Sequence, residues 1–372
     1  MEAHAEATEA VGAEAAEDAP VFRSLASPPA PKAAAAAPVG AVALPLDELS
    51  AATCDFGDAK LIGSGGYGQV FLAEKLPSLP ASAVPENVRH LPFAVKRAKA
   101  GAHLLSDLKR EVSVLRECHH PHVLPLLGYY LEGDSPCLVF PLMRGGSFAD
   151  RLFPKEADPE HLLRLGISSE VKPLRWRERL RILKQATEAL LYLHTPVSGS
   201  GKGIVVHRDF KPENILLDDS LNAYLADTGF AKMERGADQA AASRKKSASN
   251  ALYLTHGYLD PSIGLGGDYS ATTDGFALGI TMLVVLTGRS PLNIINTCEE
   301  EFDLDFEDID AAKIADPAAF WPALVASAVK ELVRCAGDKC LCHQSQRKRL
   351  AISGALTALS SLGEDVSAAE EA

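Results

Sequence analysis

The chain has 372 residues, with 37 basic against 49 acidic side chains and a net charge of −12 when histidine is neutral. Its 47% hydrophobic content is that of a globular protein, and the length suits one large domain or two ordinary ones. The acid excess argues against a nucleic-acid binder, which needs a basic face to neutralise phosphates.

Residues 1–45 are mostly Ala, Glu and Pro and predict a disordered tail, with a fluctuating Ala/Glu helix over 2–18 as the alternative. Residues 2–18 hold six acids and no Lys or Arg, opposite to a basic signal region, and Glu2 does not fit N-myristoylation. From Leu46 the pattern changes. Residues 60–75, KLIGSGGYGQVFLAEK, predict a hairpin around a Gly-rich turn. Residues 77–92 hold four prolines and predict an inserted surface loop. FAVKR, 93–97, predicts a strand, and Leu104, Leu108, Val112 and Leu115 predict a helix over 104–118. Residues 123–131 and 137–142 predict two more strands.

Beyond residue 145 the periodicity is mostly helical. Over 176–194, Leu180, Leu183, Ala186, Thr187, Leu190 and Leu193 share one stripe. Residues 271–288 predict an apolar helix buried nearly all round, and 318–336 and 350–361 predict two more, before an acidic tail over 362–372. The apolar run Phe276–Leu286 is too short to span a bilayer, so a soluble, cytoplasmic protein is expected. Strands followed by helices imply an α+β fold of two lobes, about 46–143 and 144–361. Residues 299–310 carry eight acids in twelve positions without the glycine of a calcium loop, and read as a solvated acidic loop. Seven scattered cysteines indicate a reducing compartment. Cys335, Cys340, Cys342 and His343 cluster without the spacing of a zinc site, and helix packing is the preferred reading.

Three motifs carry chemistry. Gly63, Gly65 and Gly68 stand in GSGGYGQV. A dinucleotide loop would run straight into a helix, whereas Val70 and Phe71 continue as a strand. A Gly-rich hairpin folds over phosphates and offers them backbone N–H groups; an ordinary hairpin turn is the alternative. Lys96 lies in an apolar strand beside Phe93, Ala94 and Val95, where an unpaired charge is costly. Glu111 on the following helix can supply the opposite charge, with Glu117 close by. In HRDFKPENILL, 207–217, Asp209 can orient a substrate hydroxyl and accept its proton, Lys211 can neutralise a transferring phosphoryl group, and Asn214 is a hard oxygen ligand for Mg²⁺. Asp227, in LADTGF, can present a carboxylate to metal-bound phosphates.

Together these motifs make the chain resemble a eukaryotic-type protein kinase over roughly residues 47–361. Within that superfamily it is similar to the plant receptor-like, Pelle and interleukin-1-receptor-associated group. LDELSAATCDFGDAKLIGSGGYGQVF, LVFPLMRGGSFADRL, GYLDP and LTGRSP carry that likeness. The resemblance implies a bilobal kinase fold, ATP and Mg²⁺. It implies a nucleotide site formed by Ile62, Gly63, Gly65, Gly66, Gly68, Val70, Ala94, Lys96 and Leu216, with Phe140 as gatekeeper and Leu142 and Met143 in the hinge. Lys96 and Glu111 would form the strand–helix ion pair. Asp209 would be the catalytic base, Lys211 the phosphate-stabilising lysine, and Asn214 and Asp227 the metal ligands. Asp274 would hold the HRD turn. Lys211 points to Ser/Thr of protein substrates, and Thr255 would contact this loop. Arg208 implies an upstream activator phosphorylating the 227–261 loop, with Ser243, Ser247, Ser249 and Thr255 as candidates. No nucleic acid and no membrane insertion are expected; any membrane association would be through a partner.

Three departures from the family pattern matter. Thr228 replaces the Phe of Asp-Phe-Gly, which predicts looser packing. Ser262 replaces a Glu that pairs with the Arg matching Arg349, so another acid should reach Arg349, with Asp260 and Asp338 as candidates. The 77–92 insert and an extension over 154–172 are expected to be surface loops clear of the phosphate-transfer residues. A pseudokinase scaffold is the alternative function; the complete Lys, Glu, Asp, Asn and Asp set favours an active kinase.

Overall fold

Short apolar strands separated by Gly- and Pro-rich turns pair into one sheet in the first part of the folded chain. The computed structural model describes residues 40–65, 68–98, 102–168, 171–234, 257–301, 315–321, 326–337 and 341–371, all in the unit Pro38–Ala372. The elements run β1 (Val42–Ala43), α1 (Leu46–Ala52), β2 (Leu61–Gly65), β3 (Gly68–Ala73), β4 (Phe93–Ala98), α2 (Ala102–Leu115), β5 (Gly128–Tyr130) and β6 (Cys137–Pro141). In space the order is β1-β5-β6-β4-β3-β2. All pairings are antiparallel except β1 with β5.

Register sorts the side chains of this sheet. Val70 stands opposite Lys96, and Ala94 opposite Phe140, so these four share a face. Phe71, Val95 and Val139, almost fully buried, line the other face. A Cβ on Gly68 would sit 2.1 Å from the Arg97 carbonyl oxygen, so only glycine allows β3 to approach β4 there.

Three expectations for this half are corrected. Val42–Ala43 pairs with Gly128–Tyr129, and Ala41 and Leu44 are buried, so the predicted tail ends before residue 41 rather than at 45. Two residues are too few for a periodic signal. The 77–92 insert is not a bare surface loop. Leu79, Ala83, Val84, Val88 and Leu91 are buried, and Asn87 Nδ2 donates to the Tyr224 hydroxyl at 3.3 Å. Of the strand predicted over 123–131, only Gly128–Tyr130 joins the sheet. Val123 bridges to Leu225 instead, and the Leu124 amide donates to the Leu225 carbonyl at 2.9 Å.

The second half is mostly helical. It comprises β7 (Gly146–Ser147), α3 (Phe148–Leu152), α4 (Pro159–Arg164), α5 (Trp176–His194), β8 (Ile204–Val206), β9 (Ile215–Leu217), β10 (Ala223–Leu225), β11 (Lys232–Glu234), α6 (Pro261–Gly264), α7 (Ala271–Thr287), α8 (Ile294–Glu301), α9 (Ala326–Ala336) and α10 (Ile352–Glu371). This is the α+β two-lobed architecture the motif order implies. Helix α5 buries its predicted stripe, with Leu180 half-buried at the margin. Every side chain of α7 from Thr273 to Thr287 is buried. A Cβ on Gly279 would lie 2.6 Å from Cys342 Sγ, so α7 packs tightly against Ala336, Leu341 and Cys342. Helix α9 starts at Ala326 rather than 318, and α10 runs to Glu371, so the expected acidic tail is largely helical. Cys335 and Cys342 are buried in this packing, and Cys340 and residues 302–314 lie outside the described residues.

Two buried guanidinium groups tie the helices together. Arg179, fully buried, donates to the Leu174 and Val285 carbonyls and pairs with Asp316 at 2.6 Å. Arg349 pairs with Asp260 through both guanidinium nitrogens, one at 3.1 Å. Burial would raise the Asp260 pKa, but Arg349 and Ser262 outweigh it and hold the carboxyl below its ordinary value. Asp260 is thus the acid that reaches Arg349; Asp338 lies outside the described residues. Ser262 accepts from Gln346 Nε2 at 2.7 Å. Asp260→Ala should cost about 3–5 kcal/mol by leaving Arg349 buried and unpaired. Asp260→Ala with Arg349→Met should recover most of that loss in chemical denaturation.

Candidate active site

Asp274, on the first turns of α7, is 1% exposed. A buried carboxylate needs hydrogen-bond donors. It accepts from the His207 amide at 2.7 Å, the Arg208 amide at 2.8 Å and His194 Nε2 at 2.8 Å. These bonds hold the 207–209 turn with Arg208 in the left-handed region, φ 73°. The His207 ring extends the network. Its Nε2 lies 3.0 Å from the Ala226 carbonyl, and its Nδ1 accepts from the Asp209 amide at 3.3 Å.

Past that turn the polar groups converge. Lys211 Nζ pairs with Asp209 Oδ2 at 2.8 Å. Asn214 Nδ2 donates to the Asp209 carbonyl at 2.7 Å and to Asp209 Oδ2 at 2.8 Å. With its nitrogen turned to Asp209, the amide of Asn214 keeps its oxygen for another partner. Asn214 also positions the next strand, since its carbonyl accepts the Ala226 amide at 2.8 Å.

Asp227 follows at once, in the left-handed region with φ 58°. Lys96 Nζ lies 3.4 Å from Asp227 Oδ1 and 3.5 Å from Glu111 Oε2. Glu111, not Glu117, is therefore the acid on α2 that meets Lys96, and it is 2% exposed. Burial alone would lower the Lys96 pKa, but Asp227 and Glu111 outweigh it and hold the ammonium above its ordinary value. Burial likewise opposes ionisation of Asp227, yet Lys96 and His207 keep it below the usual carboxylate range. Arg110, which sequence reasoning missed, donates to the Gly229 carbonyl at 3.2 Å and fixes α2 against this turn.

Thr228 takes the position after Asp227. It is 1% exposed, and among the described residues its hydroxyl has no hydrogen-bond partner. The departure from Phe thus leaves a buried polar atom as well as a smaller side chain.

The predicted apolar nucleotide residues fall on elements of both lobes. Ile62 is on β2, Val70 on β3, Ala94 on β4, Phe140 on β6, Leu142 and Met143 just after it, and Leu216 on β9. Gly63 and Gly65 are on β2 and Gly68 on β3, while Gly66 lies outside the described residues. So do Ser243, Ser247, Ser249 and Thr255. The 154–172 extension departs from expectation. It is not a surface loop: it forms α4, His161 Nδ1 lies 3.0 Å from the Ile62 carbonyl, and Leu165 is buried with Ile62 and Leu142. Leu162, Leu165 and Ile167 were the available signal, since a solvated loop has no need of three large apolar residues within six positions.

A strand lobe over a helical lobe, with these groups at the seam, defines the class. A family model described as a protein kinase domain matches residues 56–358, and the chain belongs to that family. The family acts on ATP and uses a divalent metal. The hard oxygens of Asn214 and Asp227 suit such an ion. The chain is similar to Arabidopsis thaliana proteins: Receptor-like kinase LIP2, 29% identical over 68% of this chain and 40% of that protein; Receptor-like kinase TMK4, 31% over 68% and 24%; and Probable serine/threonine-protein kinase PBL28, 33% over 69% and 60%. It thus spans between about a quarter and three fifths of these relatives' lengths. No helix among the described residues is long and apolar enough to cross a membrane. Thr228→Val, which removes the unpartnered hydroxyl at nearly constant shape, should raise stability by about 1 kcal/mol. A lowered melting temperature would show that the hydroxyl is bonded in solution.

Proposed function

We propose that the protein is a serine/threonine kinase that transfers the γ-phosphoryl group of ATP, with Mg²⁺, to hydroxyls of protein substrates. The convergence of Lys211 and Asn214 on the Asp209 carboxylate, each at 2.8 Å, carries this reading. Asp209 orients the hydroxyl and takes its proton as the oxygen forms its new bond to phosphorus and the bond to the β-phosphate oxygen breaks. Lys211, held on Asp209, offsets the charge of the phosphoryl oxygens, and its presence in HRDFKPEN favours Ser/Thr. Lys96, fixed by Glu111, faces the α- and β-phosphates, with the Gly63–Gly68 hairpin above them. Asn214 and Asp227 would hold Mg²⁺, which would supply positive charge to neutralise the phosphates. Ile62, Val70, Ala94, Phe140, Leu142, Met143 and Leu216 would enclose the purine.

Control follows from Arg208. Its guanidinium stacks over the Tyr269 ring at 4.9 Å beside Asp209, where a phosphate on the 243–255 segment can join it. Protein substrates, an upstream activating kinase and a cytoplasmic location complete the proposal.

Labelled γ-phosphate should enter Ser or Thr of the protein itself or of a basic protein substrate at millimolar MgATP. Asp209→Asn should reduce that rate by about 10²- to 10⁴-fold. Incorporation that persists in Asp209→Asn would remove Asp209 from the chemistry. Unchanged activity after alanine replaces Ser243, Ser247, Ser249 and Thr255 together would remove the control.

A further inference from the structure

The face of β2, β3 and β4 assigned to the purine is already covered by this chain. Ile62, on β2, and Leu142, just after β6, are only 4% and 5% exposed. Leu165, 6% exposed, completes their cluster, and Val70, Ala94 and Ile167 pack against it. Leu165 and Ile167 belong to neither lobe's regular pattern. They come from the 154–172 extension.

The covering segment is a built structure. Asp158 caps α4 by accepting the Glu160 amide at 3.0 Å, and Pro159 occupies the first turn. Leu162, 2% exposed, anchors it. Gly166, at φ 81°, ends the helix, and the Ile167 amide returns to the Leu162 carbonyl at 2.9 Å. That reversal turns Ile167 back toward Gly146, from whose Cβ position its Cδ1 would lie 3.4 Å. At the other end His161 Nδ1 bonds the Ile62 carbonyl at 3.0 Å, and the ring stands 3.5 Å from a Cβ placed on Gly63. One segment therefore touches the Gly-rich strand of the upper lobe and the post-hinge turn of the lower one.

We propose that residues 158–167 are an intramolecular lid that occupies the purine side of the nucleotide cleft, so that ATP binds only after Leu165 and Ile167 withdraw. The inference rests on the nucleotide-site reading given above. Purine and leucine compete for the same apolar surface. The observed affinity is the intrinsic one multiplied by the fraction of molecules with the lid withdrawn. Withdrawing one buried leucine weights that equilibrium by roughly 10- to 100-fold. The His161 bond holds the Gly-rich strand to the lid, so opening also frees that strand.

The test is titration calorimetry of the full chain with Mg²⁺ and a non-hydrolysable ATP analogue. Leu165→Ser/Ile167→Ser, checked for folding by thermal melting, is compared with the unaltered chain. The lid predicts binding tightened about 10- to 100-fold in the variant. Equal or weaker binding overturns it; weaker binding would make Leu165 a wall of the purine pocket. Binding by neither protein overturns the nucleotide site itself, and the lid with it. Hydrogen exchange on the unaltered chain gives a second reading that needs no variant. Amides of 160–167 should lose protection on adding the analogue, and retained protection while the Lys96 strand becomes more protected would overturn the lid.

Discussion

The buried carboxylate of Asp274 is the constraint from which the site is built. Helix α7 is apolar and enclosed, so a charge on it is costly unless donors converge on it. The His207 and Arg208 amides and the His194 ring meet that demand. In doing so they fix a left-handed turn at Arg208 that the chain would not otherwise adopt, and they set Asp209 against Lys211 and Asn214. An apolar helix thereby positions a polar loop.

A second constraint joins the lobes. Lys96 is shared between Glu111 on α2 and Asp227 at the start of the next turn, and both acids raise its pKa. Arg110, Asn87 and the Leu124 amide add contacts across the seam. The departures at Thr228 and Ser262 sit on this frame differently. Asp260 and Gln346 take over the contacts around Ser262 and Arg349. Nothing takes over at Thr228, whose hydroxyl is left without a partner among the described residues.

The two insertions show how composition misleads. Four prolines made 77–92 read as an inserted surface loop, yet its Leu and Val residues pack inward and its Asn87 reaches β10. The 154–172 extension carries the chain's own apolar side chains to the cleft. In both, a few apolar residues within a polar stretch determine where the segment goes, because each gains from leaving water whatever its neighbours do.

Much of the architecture was legible locally. Helices α5 and α7 follow from periodicity over many residues, and β2–β4 from alternation around a Gly-rich turn. The polar motif around Asp209 identified the chemistry because such side chains in an apolar setting require partners. Other features depended on distant groups. Glu111 rather than Glu117 meets Lys96 because the register of β4 and the rotation of α2 bring it there. Arg179 is buried because Asp316 and two carbonyls await it, which no hydrophobic pattern reveals. The strand at Val42–Ala43 exists only because β5 offers an edge. Sequence alone determined the long periodic elements and the candidate reactive groups, since both rest on neighbouring residues. Tertiary structure decided the pairings and what covers the cleft, since a contact between remote segments forms only when the whole fold brings them together.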